Sequence, residues 1–431
     1  MVMDAFMLNG FTGGFINGFT AAFLCALAIA TATRLWLARR QIGHVARNRD
    51  AVPGSFSTTI TLPAHQKAAD YSVAKSRLGI VDVVYGALVL LLLTFGGGLQ
   101  WLADQWARLL EPADYWHGVA LVMSVVMLLS LLDLPLTVYR TFVVEAKFGF
   151  NRMTPALFMA DLAKQALLGA VLGVPLLLAV LWLMAEMGEL WWLYVWLAWM
   201  GFNLIVLMLY PAFIAPIFNR FTPLSDPSLA SRIEQLLARC GFRSQGLFVM
   251  DGSKRSSHGN AYFSGFGAAK RIVLFDTLLT RLAPSEIEAV LAHELGHFKR
   301  HHVWKRVAVL FAMSLAMLWV LGQLIGEDWF YRGLNVHTQG TAMALLLFFL
   351  VVPVFTFFLQ PLTSLYSRKH EFEADAYAAL HASPADLVRA LVKLYQDNAA
   401  TLTPDPLHSA FYDSHPPAAT RIARLLQPPA F

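Results

Sequence analysis

Long charge-poor stretches recur along the chain at 11–33, 83–103, 118–132 with an extension toward 139, 165–184, 190–218, 307–325 and 341–359. A helix rising about 1.5 Å per residue needs roughly 20 apolar residues to cross the hydrocarbon core, so this pattern predicts seven transmembrane helices. Between 219 and 304 the pattern changes. Ser228 to Cys240 carries apolar residues at helical spacing, while 246–250 and 271–275 read as short strands bounded by turn residues. Their arrangement reads as hairpin-like, with an edge open to an extended peptide.

The expected fold class is therefore mainly α: a polytopic membrane protein with about seven spans and a small α+β lobe. Four segments follow: a five-span membrane region at 1–218, a soluble lobe at 219–304, two further spans at 305–366, and a C-terminal helical segment at 367–431. Asp133 and Pro135 interrupt the third span. The acid is read as structural, ending or kinking that helix near the interface.

Composition agrees with a membrane protein. Of 431 residues 57% are hydrophobic and 14% charged, and the mean hydropathy is +0.54. A net charge of +5 raises the question of nucleic acid. The basic residues border the spans instead of forming a stripe with interleaved aromatics, which argues against it. Segment 38–78 holds Arg39, Arg40, Arg47, Arg49, Lys67, Lys75 and Arg77, whereas the intervening loops hold only Arg108 and Arg332. That bias puts the N-terminus outside and the segments 38–78, 140–156, 219–306 and 360–431 on the cytoplasmic side. Asp4 and the basic flank after the first span read as a retained anchor, not a cleaved signal. Arg outnumbers Lys amid abundant Ala and Leu, which points to a bacterial cytoplasmic membrane. Cys25 and Cys240 give neither a disulfide framework nor a thiolate metal site.

The chemistry concentrates at His293-Glu294-Leu295-Gly296-His297. On a helix the two histidines share a face and can reach one metal ion, with Glu294 beside them to accept a proton from water. Ser285 and Glu288 form a capping-box pattern, which predicts a helix from there past His302. Downstream, Glu371 and Asp375 are four apart on one helical face, and Glu373 points away from both. Glu371 suits a third ligand and Asp375 a partner that fixes a histidine tautomer. The alternative is a solvated acidic face paired with Arg368 and Lys369.

Together these strings make the chain similar to the type I CAAX prenyl proteases, integral-membrane zinc endopeptidases. The similarity extends over TFVVEAKFGFN at 141–151, YPAFIAPIF at 210–218, NAYF at 260–263, RIVLFDTLL at 271–279, HELGH at 293–297, EFEAD at 371–375, HSAFY at 408–412 and SHPP at 414–417. The long charged insertion of eukaryotic members is missing, the chain passing directly from Leu279 to Pro284. The resemblance implies one zinc ion per chain on His293, His297 and Glu371, with Glu294 as base and Asp375 behind a ligand. It further implies Asn260 as a contact for substrate backbone and His415 with Arg421 as donors near the scissile carbonyl. A seven-helix barrel around a chamber with a gluzincin-type lobe is the implied architecture. The implied partners are membrane lipid and a peptide or protein substrate, lipidated in the family's case; no oligomeric state follows.

The expected function is zinc-dependent hydrolysis of peptide bonds, the substrate adding a strand beside 271–275. A membrane quality-control protease without lipid preference uses the same chemistry. A transporter or channel with a structural metal is the alternative of another class, opposed by the lack of four closing ligands. A lipid hydrolase is opposed by the lack of a Gly-x-Ser-x-Gly elbow.

Overall fold

The computed structural model describes residues 17–264 and 271–427, so the expected start of the first span at 11–16 and the reading of Asp4 lie outside the described residues. Helix α1 (Gly18–Arg47) opens on Asn17, whose side chain accepts the Thr20 N–H. Helix α2 (Leu62–Leu93) opens on Thr61 in the same way. Much of the polar stretch 38–78 is thus helical, not loop: the two helices continue beyond the membrane as a hairpin, tied by a bidentate Arg49–Asp70 pair. Hydropathy marks where a helix meets lipid, not where it ends. The second expected span at 83–103 is also corrected, because α2 ends at Leu93 and a turn through Gly97 (φ 74°) leads into a separate short helix, Gly98–Ala107.

Helix α3 (Tyr115–Tyr139) runs through Asp133 and Pro135 and widens into a π-helical turn, Arg140–Glu145. Asp133 does not end it; its carboxylate accepts from the Thr137 hydroxyl at 2.8 Å. Helices α4 (Pro155–Glu186) and α5 (Trp191–Leu209) follow. Next come strand β1 (Phe221–Pro223), helix α6 (Pro227–Arg239), and strands β2 (Leu247–Met250), β3 (Ala261–Ser264) and β4 (Arg271–Phe275). Helices α7 (Pro284–Lys299), α8 (His302–Leu324), α9 (Thr341–Thr356), α10 (Gln360–His381), α11 (Pro384–Asp397), α12 (Pro406–Tyr412) and α13 (Ala418–Leu425) complete the described chain.

Seven helices are long and apolar enough to cross a membrane, as expected. Their main core collects Phe23, Leu93, Val119, Leu181, Trp191, Leu321 and Leu345. These residues come from the starts of α1, α3, α5 and α9 and the ends of α2, α4 and α8, which is one end of the bundle. Toward the other end smaller clusters join the spans, Tyr71 and Leu78 with Val144, and Ala30 and Leu37 with Phe357. The apolar windows of the first six are only 6–17% buried, against 56% for the seventh. Side chains such as Leu92, Leu167 and Phe349 are exposed. The bundle is closed at one end and hollow toward the other, where the polar lobe sits.

The lobe holds a four-stranded sheet in the order β1-β2-β4-β3. The two strands expected to form a hairpin-like pair, 246–250 and 271–275, instead run parallel, Phe248 opposite Val273. The chain between them contributes β3, antiparallel to β4. Strand β4 is consequently interior; the outer strands are β1 and β3, and Ala261 at the start of β3 lines the cavity described below. Leu229, Ile233 and Leu236 of α6 pack with Ile272, Leu274 and Ile287, Leu291 and Leu295 of α7 into a second core. Arg255 joins lobe to membrane region, donating to both Asp161 carboxylate oxygens on α4 at 2.7 and 2.9 Å and to the Phe218 carbonyl at 2.7 Å.

Candidate metal centre and active site

Helix α7 starts one residue before the expected capping box. Pro284 occupies its first position, where the missing N–H costs nothing, and Glu286 reaches back to accept the Ala283 N–H at 2.8 Å. Ser285 instead donates to Asp386, and Glu288 pairs with Arg232 and Arg239. The helix also stops earlier than expected, at Lys299. His301 takes a left-handed conformation (φ 57°), and α8 begins at His302.

Within α7, His293 and His297 are one turn apart and point the same way. Helix α10 crosses them at Gly296: a Cβ there would lie 2.9 Å from the Ala374 Cα and 3.0 Å from its carbonyl oxygen. This close approach delivers Glu371 to the pair. The two Nε2 atoms are 3.2 Å apart; Glu371 Oε2 is 3.5 Å from that of His293, and Oε1 is 3.3 Å from that of His297. Glu371 is buried, and its Oε2 has no hydrogen-bond partner in the protein. An orphaned buried oxygen beside two imidazole nitrogens fits a metal ion held by two histidines and a glutamate, with a coordination position left open.

Asp375, one turn beyond Glu371, accepts from His293 Nδ1 at 2.9 Å. Arg421 of α13 donates to both Asp375 oxygens at 2.8 and 2.6 Å, with another nitrogen 3.6 Å from Glu371. Buried Arg421 thus gives two of its five N–H groups to Asp375 while also lining the cavity at the centre. Glu373 does point away from Glu371 and Asp375, but it is not idle: its Oε2 lies 2.9 Å from His302 Nε2. Sequence reasoning passed over His302, since a helix continued past Lys299 would have carried it off the ligand face.

The open side of the centre is a cavity of about 250 Å³ lined by Glu294, His415 and Asn260 together with His293 and Glu371. Burial raises the Glu294 carboxyl above the usual range, opposed in part by His293 and His297. That leaves it a stronger base than a solvated glutamate. His415 is exposed, its Nε2 3.5 Å from Glu371 Oε1. Asn260 precedes β3 and holds the Ala261 N–H through its side-chain oxygen at 2.8 Å. Leu278, Val290, Leu387, Leu391 and Leu394 form an apolar wall opposite. The amphipathic spacing of α11 was the available signal for part of that wall, though nothing local tied it to the site.

A helical membrane scaffold presenting this cluster defines a multi-pass integral membrane metallopeptidase. Comparison with known proteins narrows the class. Residues 41–220 match the family described as CAAX prenyl protease N-terminal, five membrane helices, and residues 223–428 match Peptidase family M48. The CAAX prenyl protease 1 homolog of Arabidopsis thaliana is 36% identical over 86% of this chain and 89% of its own length. CAAX prenyl protease 1 of Saccharomyces cerevisiae is 34% identical over 90% and 91%. The crystal structure of S. mikatae Ste24p superimposes with a TM-score of 0.90, at 29% identity, covering 95% of this chain and all of that one. The chain belongs to the CAAX prenyl protease family of membrane metalloendopeptidases, and its substrates are peptides or proteins.

Proposed function

We propose that the metal is zinc, one ion per chain, held by His293, His297 and Glu371, and that the enzyme cleaves lipid-modified peptides inside the hollow of the bundle. The observation that carries this reading is the meeting of Glu371 with both imidazoles at 3.3–3.5 Å, despite the long stretch of chain between them. Bound there, zinc supplies a Lewis acid that polarises a peptide carbonyl and acidifies water. Glu294 takes the proton from the attacking water and returns it to the leaving amine. His415 donates to the oxyanion as charge develops on it, and Asp375, clamped by Arg421, holds His293 in the tautomer that leaves Nε2 free. The substrate backbone pairs with the β3 edge and is oriented by Asn260. This division of labour assigns 219–304 and 367–431 to catalysis and 1–218 with 305–366 to enclosure. The Lys and Arg bias supports an orientation with the lobe and C-terminus cytoplasmic, in a bacterial inner membrane.

The test is zinc content with peptidase activity before and after chelation, on native protein and Glu294→Gln. Native protein should lose activity on chelation and regain it with zinc. Glu294→Gln should hold zinc at the native level yet lose about 10²–10⁴-fold in rate. Undiminished cleavage by that variant removes Glu294 from the proton-transfer role.

A further inference from the structure

We propose that His302, backed by Glu373, is the positioning residue for His297, fixing its tautomer and ring orientation for metal binding. This rests on His293, His297 and Glu371 being the ligands. A histidine that binds through Nε2 must carry its proton on Nδ1 and needs an acceptor there. For His293 that acceptor is Asp375. His297 has no carboxylate at its Nδ1; His302 Nδ1 lies 3.0 Å away instead. Two ring nitrogens at that distance require one donor and one acceptor. His297 donates, so His302 accepts on Nδ1 and carries its own proton on Nε2, which points at Glu373 Oε2 at 2.9 Å. One tautomer assignment satisfies every contact in the row.

The surroundings hold His302 in that pose. It is 1% exposed and stacks on the ring of His370, centroids 4.0 Å apart and planes within 11°. The backbone is bent to bring it there. His301 sits at φ 57°, in the left-handed region that a non-glycine residue rarely adopts. A straight continuation of α7 would turn position 302 well away from the face of His297, because five residues exceed a full turn by more than a third. Helix α10 then serves each part of the centre with a different carboxylate: Glu371 for the metal, Asp375 behind His293, Glu373 behind His302.

The test compares zinc affinity of the purified full chain, by competition with a chromogenic chelator, for native protein, His302→Asn, His302→Leu and Glu373→Leu. Asparagine offers an oxygen close to the position of the imidazole Nδ1; leucine fills the space without an acceptor. His302→Leu should weaken zinc binding about 10–100-fold and alter the visible spectrum of the cobalt-substituted protein. His302→Asn should recover most of the affinity, and Glu373→Leu should fall between. Thermal midpoints of the metal-free Asn and Leu variants should match, since both lose the same ring packing. Equal zinc affinity of His302→Asn and His302→Leu, whether tight or weak, overturns the proposal. A His297→Ala protein that binds zinc as tightly as native would instead overturn the ligand assignment, and this inference with it.

Discussion

Gly296 illustrates how much of the centre depends on a side chain that is not there. Its own backbone is ordinary helix, yet any Cβ meets the backbone of Ala374, which cannot swing aside as a flexible side chain would. Gly296→Ala should separate α7 from α10 by a few tenths of an ångström and cost about 1–3 kcal/mol of stability. Zinc retention after gel filtration should fall with it, because Glu371 arrives on the displaced helix. The pairing of His293 with His297 was legible from spacing alone, as helical geometry fixes which residues share a face. Glu373 was read correctly as facing away from Glu371, but its partner, His302, became visible only once the chain was seen to turn at His301.

Among the elements, α12 and its cap link the first span to the C-terminal segment. Asp405 accepts the N–H groups of Leu407 and His408, and its carboxylate is gripped by Arg40 of α1 at 3.0–3.3 Å. Burial alone would raise its pKa; the His408 N–H and Arg40 outweigh it and hold the carboxyl below its usual range. A depressed folded-state pKa gives stability that is present above the unfolded value of about 3.9 and lost as pH falls through the folded value. Asp405→Asn keeps a capping oxygen and removes only the charge, so it should lower the thermal midpoint in detergent at pH 7 by an amount corresponding to about 0.5–1 kcal/mol for a partly exposed ion pair. The gap to native protein should narrow below pH 4. Asn17, Thr61, Asp114 and Thr154 open helices in the way local capping rules describe. They misled at Ser285, where Pro284 and Glu286 supplied a competing start one residue earlier.

For the whole molecule, Arg255 is the buried ionic part of a joint that also includes the stacking of His258 on Phe150 and the Ser257 N–H donated to the Phe150 carbonyl. Asp161 is buried in α4 and has this guanidinium as its partner. Arg255→Ala leaves that carboxylate unpaired, a change that typically costs about 3–5 kcal/mol. The variant's melting midpoint and its proteolytic sensitivity around residue 219 should both report the loosened joint. The hollow bundle bears on substrate choice. A farnesylated peptide should be cleaved with higher kcat/KM than its unmodified twin, and equal rates would favour a protease without lipid preference.

The number of spans, the polar lobe and the His-x-x-x-His face followed from the sequence, because each depends on local periodicity or composition. Tertiary structure alone decided that β2 and β4 run parallel with β3 outside them, that the largest core of the spans gathers at one end, and that α10 brings Glu371 to α7. Those outcomes depend on contacts between residues far apart in the chain, where no local preference chooses among partners.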